Sequence, residues 1–125
     1  MSAKVQRPTE GEMEILSVLW EQKAASVKEV YQKLSSYKQT GYTTTLKLLQ
    51  LMFDKGMVTR SEQGRKHIYR PSIDLSLLRE QQTSRLIGHL FEGSPVQLAL
   101  HVLRSSYYRS TPDEIAELKK LVEAL

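Results

Sequence analysis

The segment from Gly41 to Pro71 constrains the fold more than any other part of the chain. It opens with Gly-Tyr-Thr-Thr-Thr, carries Leu46, Leu49 and Phe53 at helical spacing, and closes at Gly56. After that glycine the period changes. Val58 to Glu62 and His67 to Arg70 are rich in β-branched and aromatic residues, and Gly64 marks a turn between them. A helix leading directly into a hairpin with a basic tip offers a rod for a DNA major groove and a loop for the flanking backbone.

Two further helices precede this segment. Thr9-Glu10-Gly11-Glu12 spells a capping box, and the helix it opens carries Met13, Leu16, Leu19 and Trp20 before fading near Lys23. Ser26-Val27-Lys28-Glu29 spells a second, placing Val27, Val30, Tyr31 and Leu34 on one face. Helices of about 15, 11 and 13 residues with short connections, followed by a hairpin, predict a winged helix-turn-helix over 1–73. From Asp74 the helical period returns. Leu77, Leu78, Leu86, Ile87, Leu90 and Phe91 lead to Gly93, Ser94-Pro95 starts another helix, and Thr111-Pro112-Asp113-Glu114 caps a last one. The expected fold is therefore mainly α, with three helices and a β-hairpin wing followed by three helices over 74–125.

The 125 residues include no cysteine, which excludes disulfides, cysteine nucleophiles and thiolate metal sites. Met1 to Glu10 is polar without the apolar core of a signal peptide, and no apolar run approaches a membrane span of about 20 residues. Cytoplasmic localisation without a membrane partner is the expectation. The net charge of +4 lies wholly in residues 1–74, with 12 Lys and Arg against 8 Asp and Glu; residues 75–125 hold 6 of each. Within 23–70 there are 10 basic residues against 3 acidic ones. Such a block suits a polyanion partner, and equally a solvated lysine-rich surface.

Projected at about 100° per residue, Thr43, Thr44 and Lys47 lie opposite Leu46, Leu49 and Phe53, at the helix end that meets base edges. Met52 and Thr45 fall at the margin of the apolar face. Threonine can hydrogen-bond a base or offer its methyl to thymine, and Lys47 can reach guanine or a phosphate. Simple N-terminal capping is the alternative for Thr43, Thr44 and Thr45, and one of the three is expected to do only that. Leu48 and Leu51 also project toward the exposed side: either they touch thymine methyls or the helix is more buried than the projection draws it. At the hairpin tip, Arg65 and Lys66 suit phosphate contact once placed on a wing. Lys28 and Tyr42 are further backbone candidates, with a surface lysine and a packed tyrosine as alternatives.

These residues resemble a known family. Pro8-Thr9-Glu10, Ile15-Leu16 to Leu19-Trp20, Ser26 to Val30, Tyr42-Thr43-Thr44, Leu49-Gln50, Lys55 to Val58, Gly64-Arg65, Tyr69-Arg70-Pro71, Leu90 to Pro95 and Asp113 to Leu118 look like the penicillinase-repressor family, which includes the methicillin-resistance regulators. The resemblance covers nearly the whole chain in order. It implies a homodimeric winged-helix repressor, with C-terminal helices that dimerise and operators that are short inverted repeats with TACA/TGTA-like half-sites. It also brings a sensor protease as a candidate partner. Relatives in the β-lactam-sensing branch are cleaved at an Asn-Phe bond, yet this chain has no asparagine and reads Leu-Arg-Ser-Ser-Tyr-Tyr over Leu103 to Tyr108. Copper-responsive relatives carry a C-terminal cysteine pair, which is also missing. Repression is implied; the inducer is not.

The helices of 75–125 carry more leucine-type residues than they can bury among themselves, so a second copy is the expected sink. The dimerisation candidates are Leu86, Leu90, Phe91, Leu98, Val102, Ile115, Leu118, Leu121 and Val122; packing onto the winged helix as a monomeric cap is the alternative. His67, His89 and His101 lack ligand spacing, and no phosphate-binding glycine loop occurs, so neither catalysis nor a metal or other cofactor is expected. Two functional classes remain: a sequence-specific transcriptional repressor partnered by double-stranded inverted-repeat DNA, and a winged-helix protein-interaction module without operator specificity.

Overall fold

Three capping boxes start helices where the sequence spells them. The Thr9 hydroxyl accepts from the Glu12 N–H at 3.2 Å, and the Thr9 N–H donates to the Glu12 carboxylate at 2.8 Å. Ser26 with Glu29 and Thr111 with Glu114 repeat this exchange. Each such cap contributes about 0.5–2 kcal/mol. The computed structural model describes residues 7–105 and 107–125. Residues 1–6 of the polar N-terminal stretch, and Ser106 within Leu103 to Tyr108, lie outside the described residues.

The elements are α1 (Glu10–Gln22), β1 (Ala25–Ser26), α2 (Val27–Ser35), α3 (Tyr42–Asp54), β2 (Val58–Gln63), β3 (Lys66–Pro71), α4 (Leu75–Leu90), α5 (Pro95–Arg104) and α6 (Pro112–Ala124). The first two helices are shorter than the apolar pattern suggests. Lys23 adopts φ 70° and its N–H bonds back to the Leu19 carbonyl, which stops α1. Gly56, at φ 78°, turns the chain out of α3 into β2, where glycine avoids the steric cost of that backbone. The mainly α winged helix-turn-helix is thus present as expected.

Strand β1 is not visible in the periodicity, because two residues cannot display an alternation. Ala25 pairs with Tyr69 and Ser26 with Ile68, giving an antiparallel sheet in the order β1-β3-β2. Ser26 thus both caps α2 and pairs with β3, which fixes the start of α2 against the wing.

The chain divides into two compact units, one up to Gln81 and one over Gln82–Leu125, with the division inside α4. In the first, α1, α2, α3 and the sheet close around Ile15, Leu16, Leu19, Val30, Leu49, Met52 and Tyr69, all fully buried. Burying each such side chain stabilises by roughly 1.5–3 kcal/mol before entropy is counted. The Trp20 indole N–H reaches the Ile73 carbonyl at 3.1 Å, and Leu78 on α4 is buried too.

The buried face of α3 differs from the projected one. Thr45, Leu49 and Met52 are buried, Leu46 only partly, and Phe53 is 36% exposed. The helix packs on α1, α2 and β2, so its apolar residues divide between a helical and a sheet side. Phe53 lies on the sheet side, roofed by the Arg60 guanidinium 3.9 Å from its ring centroid. Leu48 is half-buried against the core, whereas Leu51 is 45% exposed.

In the second unit no described side chain is buried, although α5 and α6 are fully formed helices with side-chain N-caps. Among the described residues no helix is long and apolar enough to cross a membrane.

Candidate nucleic-acid interface

The site is built from the start of α2, the outer face of α3 and the wing tip. Gly41 occupies the N-cap of α3 without a side-chain bond, so none of the three threonines caps that helix. Thr45 instead turns inward, where its hydroxyl donates to the Gly41 carbonyl at 3.1 Å. Thr43, Thr44 and Lys47 are exposed, on the side away from Thr45, Leu49 and Met52.

Lys28, Tyr42, Arg65 and Lys66 line one open cleft of about 440 Å³, with His67 and Tyr69 on its wing side. Pairing of β1 with β3 brings this about, because it holds the first turn of α2 beside the hairpin that carries Arg65 and Lys66. The Tyr42 ring meets Tyr31 edge-on, 5.8 Å between centroids, which fixes it at the mouth of α3. Lys47 is exposed on α3 but does not line the cleft.

Ion pairing sorts the basic block into two groups. Lys33 pairs with Glu21 at 3.3 Å, Lys38 with Glu14 at 2.8 Å and Lys55 with Glu12 at 2.7 Å. Arg60 covers Phe53, and Arg70 donates to the Ser61 hydroxyl at 3.0 Å, so both brace the hairpin. Among the described residues of this block, Lys23, Lys28, Lys47, Arg65 and Lys66 form no such ion pair, and Lys23 lies apart from the others at the end of α1. The charge of the other four is available to an outside anion: Lys28, Arg65 and Lys66 line the cleft and Lys47 is exposed on α3.

One carboxylate, Glu29, stands at the start of α2. The Ser26 backbone N–H, then its hydroxyl, hold the Glu29 pKa below the usual carboxylate value, and the positive charge of Lys66 adds to this. Glu29 therefore offsets a fraction of the local charge while orienting the start of α2. His67, which lacks ligand spacing in the sequence, is half-buried, lines the cleft and faces Glu62 across the hairpin, 3.6 Å from Nε2 to the carboxylate. The pairing of Glu62 with His67 is a signal only once the register is known.

In Gln82–Leu125, Leu86, Leu90, Val102, Ile115, Leu121 and Val122 are exposed, while Phe91, Leu98 and Leu118 are half-buried. His101 stacks obliquely on Phe91 at 5.5 Å between centroids, an apolar rather than a ligating role. Among the described residues no group of three or more acidic or histidine side chains could hold a metal ion.

Comparison with known proteins gives a consistent picture. The family described as penicillinase repressor matches residues 8–124. The penicillinase repressor of Bacillus licheniformis is 24% identical over 120 residues, covering 96% of this chain and 92% of its own. The methicillin resistance regulatory protein MecI of Staphylococcus aureus strain N315 is 20% identical over 122 residues, covering 98% of both chains. The solution structure of the monomeric form of Bacillus licheniformis BlaI, in complex with the blaP half-operator, superposes with a TM-score of 0.52 at 27% identity. It covers 58% of this chain and 89% of that one.

Proposed function

Because the chain belongs to the penicillinase repressor family, we propose that it is a DNA-binding transcriptional repressor whose α3 enters the major groove and whose wing holds the adjacent backbone. The observation that carries this reading is the sorting of charge. Within 23–70, five basic side chains brace the fold, and four of the five described ones that do not (Lys28, Lys47, Arg65 and Lys66) lie at the start of α2, on the outer face of α3 or at the wing tip. BlaI, a relative by structure, is described in complex with half of an operator. Thr43, Thr44 and Lys47 are assigned to base edges, and Lys28, Tyr42, Arg65 and Lys66 to phosphates. Residues 82–125 are assigned to pairing with a second copy, which would place two readers on an inverted repeat.

The test is binding of the full chain to duplexes selected from a random pool, titrated with salt. The expected outcome is an enriched inverted repeat, preferred over scrambled DNA, with affinity falling steeply as salt rises. Thr44→Ala should reduce discrimination at one position per half-site, where a good base contact is worth about 1–3 kcal/mol. Failure to enrich any sequence, with weak salt dependence, would favour a protein-interaction module instead.

A further inference from the structure

Leu51 is the one large apolar side chain on the outer face of α3 that the core does not claim. It stands about 200° around the helix from buried Leu49, within about 40° of both Thr44 and Lys47. Leu48, one turn back on the neighbouring stripe, is drawn inward against the core, where a Cβ placed on Gly11 would meet its Cδ1 at 3.7 Å. Leu51 has no such sink and remains 45% exposed. From Thr44 to Leu51 the helix rises about 10 Å, the length of about three base-pair steps, so the two residues reach different base pairs.

A lone exposed leucine is ordinary on a protein surface. Its position changes the matter, because this reading of α3 puts Leu51 where a groove would strip its water. Against a phosphate or the polar edge of a base it would remove hydrogen-bonded water without replacing the bonds. Against the C5-methyl of thymine both surfaces gain. We propose that Leu51 reads a thymine methyl group in each half-site, about one turn beyond the contact of Lys47 and two beyond that of Thr44. The inference rests on α3 being the major-groove helix and adds a specificity-determining residue to it.

Selected duplexes in which each thymine is replaced singly by deoxyuridine lose one methyl group and no hydrogen bond. For the full-length wild-type chain, one thymine per half-site should show a loss of about fourfold on this replacement, the worth of one buried methyl. Leu51→Ala should abolish that sensitivity while leaving deoxyuridine effects elsewhere in the half-site unchanged. Leu51→Met, which keeps an apolar side chain, should retain it. If every deoxyuridine effect survives in Leu51→Ala, or no thymine is sensitive in the wild type, Leu51 packs against sugar or solvent and the proposal fails. If the pool yields no enriched sequence, the operator-binding reading itself fails, and this one with it.

Discussion

Residues up to Gln81 and residues 82–125 use the same local devices and reach opposite results. Both start helices with a hydroxyl cap, and each contains at least one reciprocal Ser/Thr–Glu box. The first closes around a dry interior, with Leu16, Leu19, Leu49 and Tyr69 wholly removed from water. In the second, Leu90 is 70% exposed and no described side chain is buried. Local signals determine where helices begin, but they do not provide apolar surface to bury. A two-layer core needs facing elements, and the sheet provides one only in the first unit. The second presents apolar helix faces of the kind that a copy of itself would cover.

The sharpest way to break this contrast is to truncate a leucine in each region. Leu49→Ala empties a fully enclosed site in the core cluster that also holds Leu16 and Met52, and should cost about 2–5 kcal/mol in denaturant unfolding. Leu121→Ala starts from a side chain that is 59% exposed. It should leave unfolding of the first unit unchanged and shift only a concentration-dependent transition. Equal losses independent of concentration would mean that 82–125 has a core of its own.

Next in size is the separation of the two regions. A chain ending at Gln81 keeps Ile73 for the Trp20 indole and Leu78 for the core, so it should fold. It should contact DNA as a monomer and lose about 100-fold in affinity for an inverted repeat, the low end of avidity gains from linked binding. In the full-length chain, Leu118→Asp should weaken pairing in the same direction by placing an unpaired carboxylate in an apolar interface. Analytical ultracentrifugation at micromolar concentration checks both. A full-length monomer that still protects two half-sites would dissociate pairing from repression.

Within the first unit, the braced and unbraced cations make a smaller comparison. Arg65→Ala with Lys66→Ala should weaken selected and random duplexes alike and lower the salt slope by about one to two units, one for each phosphate released. Removing Arg70, which bonds Ser61, should act mainly through the hairpin. A salt slope unchanged by the double substitution would return the wing tip to plain solvated surface.

What was legible in the sequence follows the range of each interaction. Capping boxes join residues three apart, and all three appear where they were read. The hairpin was legible because Gly56 and Gly64 punctuate a change of period. The buried side of α3 was not, since a single-face projection cannot know that the helix packs on α1, α2 and β2 at once, which buries Thr45 and Met52 and leaves Phe53 under Arg60 of β2. Strand β1 is too short to show a pattern, and the cleft depends on it. Lys28 and Lys66 are far apart in sequence and come to one cleft only through the pairing of Ser26 with Ile68. Their candidacy could be read, but their convergence could not.

The smallest effect concerns the one ionised carboxylate inside the first unit's interior. Glu12 is 2% exposed; it accepts from the Thr9 N–H at 2.8 Å and from the half-exposed Lys55 ammonium at 2.7 Å. Burial alone would raise its pKa, but Lys55 and the Thr9 bonds outweigh this and hold it below the usual value of 4.5. A carboxylate with a depressed folded pKa adds stability that is fully present above its unfolded pKa and is lost as pH falls through the folded one. Glu12→Gln keeps an acceptor for the cap and removes the charge. The variant should therefore be less stable than the wild type at neutral pH, by about 1 kcal/mol given that Lys55 is half in water. The gap should narrow as pH drops below about 4.5. Unfolding midpoints measured from pH 7 to pH 3 decide it: a gap that stays constant across that range would mean that shape and cap geometry, not charge, are what α1 and α3 require at this position.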